Sequence, residues 1–143
     1  MEDLDRALRV ATEAHRGQKD RYGDPFLLHP LRVMLRCRTE EERIVALLHD
    51  VVEKSAWTLD DLKRQGFSAE VIAAVEDLTK REGEPYLEYI TRARGGTLAR
   101  EVKRADLQDH MDAIRERGPT GDASGRMARY RQAMRLLLRG EAN

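Results

Sequence analysis

Apolar residues in this chain recur every three or four positions, and no stretch alternates apolar with polar in the manner of a strand. A helix completes a turn in 3.6 residues, so this period leaves helix packed on helix as the way to bury the apolar stripes. Leu4, Leu8 and Ala11, with Ala7 and Ala14, define a first amphipathic helix. It runs into "HRGQKDRYGDPF", a loop rich in glycine and charge. Pro30 then opens a second helix, "PLRVMLRC", at its first position, where a missing N–H costs nothing. Thr39 and Glu42 have capping-box spacing, ahead of "EERIVALLHDVVEK" read as one buried helix. Thr58 and Asp61 suggest a cap for "LDDLKRQ", which Gly66 follows, and Ser68 caps "AEVIAAVEDLTK". "KREGEP", residues 80–85, reads as a loop near the site, and "EPYLEYITRA" stops at Gly95–Gly96. Thr97 is then expected to cap "LAREVKRADLQDHMDAI". "RERGPTGDASG" is the weakest connector. "RMARYRQAMRLLLR" closes the chain, with Met127, Tyr130, Met134 and Leu137 or Leu138 on one side. The expectation is one all-α domain over residues 1–143, with seven or eight helices and no internal repeat.

Charge narrows the partners. Lys plus Arg number 26 and Asp plus Glu number 26, so the chain lacks the basic excess of a duplex-binding protein. Nucleic acid is not expected as a partner. Cys37 is alone and can form neither an internal disulfide nor a paired-cysteine metal site. "MEDLDRALRV" is acidic and lacks a signal-like apolar core, and no apolar run approaches the ~20 residues that span a bilayer. A cytoplasmic protein without membrane contact is the natural reading. A homodimer stays open.

The stretch "LLHDVVEKSAW" sets His49 and Asp50 side by side inside apolar sequence. Imidazole nitrogens and carboxylate oxygens together suit a transition metal. Neighbours on a helix point about 100° apart, so the pair could meet one ion only from the edge of a groove. Further ligands could come from His29, ahead of Pro30, and from Asp106 in "KRADLQDH". Blander roles fit each residue too. His29 could cap a helix, Asp106 could pair with Lys103, and Lys54 could pair with Asp50 or Asp60. A carboxylate on the buried side of the Asp106 segment nevertheless needs a partner or a metal.

"AHRGQKDRYGDPFLLHP", "ALLHDVVEKS" and "VKRADLQDH", in that order, resemble the three signatures of the HD-domain metal-dependent phosphohydrolases. The branch they resemble is the guanosine tetraphosphate (ppGpp) hydrolase domain of the RelA/SpoT type and its small stand-alone members. The resemblance implies a helical HD bundle with His29, His49, Asp50 and Asp106 as ligands of manganese or another divalent transition metal. The implied substrate is a small phosphorylated nucleotide, and the implied reaction removes the 3′-pyrophosphate of ppGpp. Glu53 becomes the candidate general base, and Lys19, Arg21 and Lys103 become candidate phosphate contacts. Tyr130 stands where similar proteins put an aromatic against the nucleotide, and core packing would explain it equally well. His15 reads as structural, serving loop carbonyls around Gly17 and Gln18.

The chain departs from the family around those ligands. Where the family carries Glu-Asp-Thr it has Glu53, Lys54 and Ser55, and where the family has asparagine four residues after the last ligand it has His110. Asp20 takes the place of the arginine that commonly packs on guanine. Lys54 could neutralise a phosphate oxygen, repel the ion or face solvent. His110 could touch phosphate, protonate the leaving oxygen, add a ligand or pack behind one. Two alternatives follow. One is a hydrolase for another nucleotide, such as a nucleoside monophosphate, a deoxynucleotide or the 2′-phosphate of NADPH. The other is a nucleotide sensor without catalysis. No synthetase segment follows before Asn143, so any link to ppGpp is expected to be hydrolytic.

Overall fold

The computed structural model describes residues 2–139; the ends of the expected 1–143 domain lie outside them. Among the described residues there are nine helices and no strand. They are α1 (Asp3–Ala14), α2 (Leu28–Arg36), α3 (Glu40–Leu48), α4 (Val51–Lys54), α5 (Leu59–Arg64), α6 (Ala69–Asp77), α7 (Tyr86–Arg94), α8 (Thr97–Arg117) and α9 (Ala123–Leu137). No helix is long and apolar enough to cross a membrane.

Local chemistry explains several of the boundaries. Thr39 and Thr58 each close a capping box, with Glu42 and Asp61, and the Ser68 hydroxyl accepts from the Val71 N–H. Gly118, at φ +87°, ends α8 in a conformation that a Cβ would penalise. Several boundaries differ from expectation, α6 ending at Asp77 and α7 starting at Tyr86 among them. α2 starts at Leu28, which makes Pro30 its third residue; the N–H there has no intrahelical partner either, so proline still costs nothing. Thr97 lies inside α8 and Gly96 is the N-cap, with its carbonyl accepting from the Arg100 N–H at 2.8 Å. α8 also continues through Arg117 and α9 starts at Ala123, capped by Asp122, so both ends of the expected connector are helical and it is shorter than expected.

The largest difference lies at His49–Asp50. The expected single helix is interrupted there, giving α3 and a one-turn α4. Both residues keep near-helical angles, φ −62° and ψ −28° then φ −103° and ψ −1°. With these angles the two side chains still reach one place, His49 Nε2 lying 3.2 Å from Asp50 Oδ2.

Two apolar clusters share α8. Ala99, Val102 and Ala105 pack with α1–α6, where Val10, Val33, Leu47, Leu48 and Val75 are fully buried. Leu107 and Met111 pack with Ile90 of α7 and Tyr130, Ala133 and Leu137 of α9. Met127 and Met134 lie against this second cluster, as the α9 stripe predicts. Asp106 falls between the two sets on α8, and α2, α3 and α8 all pack against one another.

Candidate functional site

Those three helices and the start of α4 bring four donors together. His29 comes from α2, His49 from the end of α3, Asp50 from the N-cap of α4 and Asp106 from the middle of α8. One donor atom from each lies within 4.8 Å of all the others. His29 Nε2 stands 2.8 Å from Asp106 Oδ1 and 3.7 Å from Asp50 Oδ2. His49 Nε2 stands 3.2 Å from each of the same two oxygens.

The outer contacts suit a metal. His49 Nδ1 donates to the Ala46 carbonyl, and His29 Nδ1 donates to Asp109 Oδ2 at 2.8 Å. Both rings are thereby held with Nε2 facing inward, the usual arrangement behind a histidine ligand. Arg32 Nε reaches Asp109 at 2.9 Å and Arg36 joins it at 3.4 Å. Lys103 Nζ holds Asp106 Oδ2 at 2.8 Å, leaving Oδ1 for the centre. Two imidazoles and two carboxylates converging in this way can hold one divalent ion.

The electrostatics are those of opposed charges out of water. Burial disfavours charge on His29 and His49, yet Asp106 and Asp109 around the first, and Asp50 and Asp106 around the second, raise both pKa values above 6.5. Burial would raise Asp50 and Asp106 as well. His49 outweighs it at Asp50, and Lys103 and His110 outweigh it at Asp106, so both carboxyls fall below the usual range. Burial also opposes the charge on Asp109, but His29 and Arg32 bring it down to about 2.

A cleft of about 1070 Å³ is lined by His29, Asp50 and Asp106, with His49 buried beside them. Lys19, Arg21, Glu53, Lys54, Lys103, His110 and Tyr130 all line it. Several differ in detail from the sequence reading. Glu53 is on a separate helix from His49, and its Oε1 accepts from the Lys80 N–H at 3.2 Å. Lys54 forms neither of the expected ion pairs; its ammonium stands 5.5 Å above the Phe26 ring. Lys103 is 7% exposed, and its ammonium is bound to Asp106 Oδ2 at 2.8 Å. His110 Nε2 lies 3.3 Å from Asp106 Oδ1, and its ring stacks on Tyr130 at 5.1 Å. Tyr130 thus belongs to the second core and the cleft wall at once. His15 Nδ1 meets the Gln18 side-chain oxygen at 3.0 Å rather than a loop carbonyl.

Asp109 was absent from the expected set. It lies three residues after Asp106, on the same helix face, and that spacing was the available signal. Arg32, Lys80, Tyr86 and Arg129 are further cleft residues with no local motif to mark them.

Loop 80–85 does border the cleft, through Lys80. Arg92 secures it by donating to Glu84 at 2.8 Å and to the Thr79 carbonyl at 2.9 Å. The Arg92 hydrogen bond, helped by the Arg81 N–H, lowers Glu84 from 4.5 to about 2. A depressed carboxylate stabilises the fold above its unfolded pKa, and that contribution is lost as pH falls through the folded one. The native chain is therefore expected to exceed E84Q in stability at pH 6, with the gap closing between about pH 4.5 and 2. Urea midpoints across that range test this; a constant gap would contradict it.

This constellation of His, His-Asp and Asp on a helical bundle is that of an HD domain. The chain belongs to that family: residues 7–117 match the HD domain. Among its relatives is the guanosine-3′,5′-bis(diphosphate) 3′-pyrophosphohydrolase of Aquifex aeolicus, 37% identical over 83 residues, covering 55% of this chain and 12% of that protein. A GTP pyrophosphokinase of Streptomyces coelicolor is 38% identical over 84 residues, covering 56% of this chain and 10% of the relative. The chain thus spans about a tenth of each. A solved structure described as a metazoan ortholog of SpoT that hydrolyzes ppGpp superposes with a TM-score of 0.80 at 25% identity, covering 98% of this chain and 87% of that one.

Proposed function

We propose that this chain is a manganese-dependent pyrophosphohydrolase of a phosphorylated nucleotide, with guanosine 3′,5′-bis(diphosphate) as its substrate. The observation that carries the reading is the convergence of His29, His49, Asp50 and Asp106, three of which line a cleft that lysines and arginines also line. The relatives named for ppGpp hydrolysis support the choice of substrate.

His29 and His49 through Nε2, Asp50 through Oδ2 and Asp106 through Oδ1 would hold the ion. A divalent ion at such a site draws charge from a phosphoryl oxygen and acidifies water. Glu53 keeps Oε1 on the Lys80 N–H, which leaves Oε2 to take the proton of the attacking water. Lys19, Arg21 and Lys54 bind phosphoryl oxygens and balance the charge that builds on them. His110, held flat against Tyr130, donates a proton to the 3′-oxygen as its bond to phosphorus breaks. The products are the nucleoside 5′-diphosphate and pyrophosphate. Lys103 and Asp109 hold their partners in place without touching substrate.

Asp20 favours a second reading. Its Oδ1 accepts from the Tyr22 and Asp24 N–H groups at 2.9 Å each, so it shapes its own loop and offers no cation to a guanine ring. A different base, or a 2′-phosphorylated cofactor such as NADPH, is then the substrate. One panel separates the readings: ppGpp, GTP, NADPH, a nucleoside monophosphate and a deoxynucleotide, each with manganese. Pyrophosphate release from ppGpp is expected. Orthophosphate release from NADPH alone would favour the second reading, and nucleotide binding without any release would leave a sensor.

A further inference from the structure

Gln18 lies outside the four-donor cluster yet ties together three segments that frame it. Its Nε2 donates to the Ala14 carbonyl at 3.2 Å and to the Lys54 carbonyl at 2.7 Å. Its Oε1 meets His15 Nδ1 at 3.0 Å, and its backbone carbonyl accepts from the Phe26 N–H at 2.8 Å. Only the NH2 side of an amide can satisfy two carbonyls, so the oxygen must face His15. His15 Nδ1 therefore carries the proton, and its Nε2 is left with a bare lone pair.

That Nε2 is buried with no hydrogen-bond partner, in a ring only 2% exposed. Burial lowers the pKa of His15, in keeping with a neutral ring. An apolar side chain would fill the same space without stranding a ring nitrogen. What the imidazole adds is one directed N–H, aimed at the oxygen of Gln18.

The far end of that relay is α4. A helix of four residues has almost no stability of its own and depends on its flanks. Glu53 ties one side of it to Lys80, and Gln18 holds the carbonyl of Lys54 on the other. Phe26, over which the Lys54 ammonium stands, is held by the same glutamine through its backbone. We propose that His15 and Gln18 are positioning residues that set Lys54 on the rim of the cleft, and so govern how tightly the cleft holds a phosphoryl group. The proposal rests on the preceding reading of Lys54 as a phosphate contact.

The test uses the full chain with manganese, ppGpp as substrate, and the variants Q18M, H15L, H15N, K54A and Q18M/K54A. Methionine keeps the length of Gln18 without its donors, and the asparagine amide nitrogen stands in for His15 Nδ1. Q18M and H15L are expected to raise KM about tenfold with kcat within about threefold, the scale of one lost hydrogen bond to a charged partner. H15N is expected to return KM to within about twofold of the parent, and Q18M is expected to add nothing to K54A. Calorimetric titration with inorganic pyrophosphate should give the same ratios without turnover. If the parent hydrolyses nothing yet the pyrophosphate ratios hold, the assigned activity fails and the positioning role stands. Multiplicative effects of Q18M and K54A, a fall in kcat alone, or H15N no better than H15L would overturn the role. Should Q18M not fold, the comparison of H15L with H15N carries the decision.

Discussion

Replacing Asp50 with alanine is expected to lower kcat by about 10³-fold or more while leaving the fold in place. The size follows from the several kcal/mol of charge stabilisation that a divalent ion supplies to a phosphoryl transition state, at 1.36 kcal/mol per tenfold. The intact fold follows from position. Asp50 is the N-cap of α4 and makes no side-chain capping bond there, while Leu48 and Val51 on either side carry the apolar burial. Turnover and thermal melting of the metal-free proteins, measured together, check both halves. A variant that loses activity only by melting would assign Asp50 to the fold. One that keeps a tenth of the activity would remove it from the donor set.

The second large effect is expected at Lys103. Its ammonium is buried against Asp106 Oδ2 at 2.8 Å and lies 4.9 Å from the Tyr89 ring. Burial disfavours that charge, and Asp106 overrules it, holding the lysine pKa well above 10.5. Breaking a buried pair from one side costs about 3–5 kcal/mol, because the other charge stays behind. K103M should therefore lose about 3 kcal/mol, the low end, since His29, His49 and His110 still face Asp106. Freed at Oδ2, Asp106 should also hold manganese about 10–100-fold more weakly. K103M/D106N removes both charges and is expected to recover part of the stability while binding no metal. Equal destabilisation by the single and double variants would show that Lys103 contributes packing alone.

The two predictions differ in how far the sequence reveals them. Asp50 stands in a doublet, and three separated motifs together point to the role proposed for it. The pairing of Lys103 with Asp106 shows as an ordinary one-turn spacing, which cannot tell a buried ion pair from a solvated one. Asp109 looks like a surface acid in "ADLQDH" until α2 is seen to bring His29 and Arg32 against it. The helices themselves were largely readable, because Thr39, Thr58 and Ser68 signal their own caps. The break at His49–Asp50 was not, since neither proline nor glycine marks it and both residues stay close to helical angles. It matters most for chemistry, because it separates Glu53 from the helix of His49 and makes α4 dependent on contacts with Gln18 and Lys80. Contacts of that kind join residues 36 and 27 positions apart, beyond the reach of any local pattern.

The most direct measurement is a calorimetric manganese titration of chelator-stripped protein, with pyrophosphate release from ppGpp followed on the same samples. One ion per chain, activity returning in proportion to occupancy, and loss of both in D50A and D106A are the results expected. Full activity in the presence of chelator, or manganese binding undiminished in both variants, would contradict a metal centre built by His29, His49, Asp50 and Asp106.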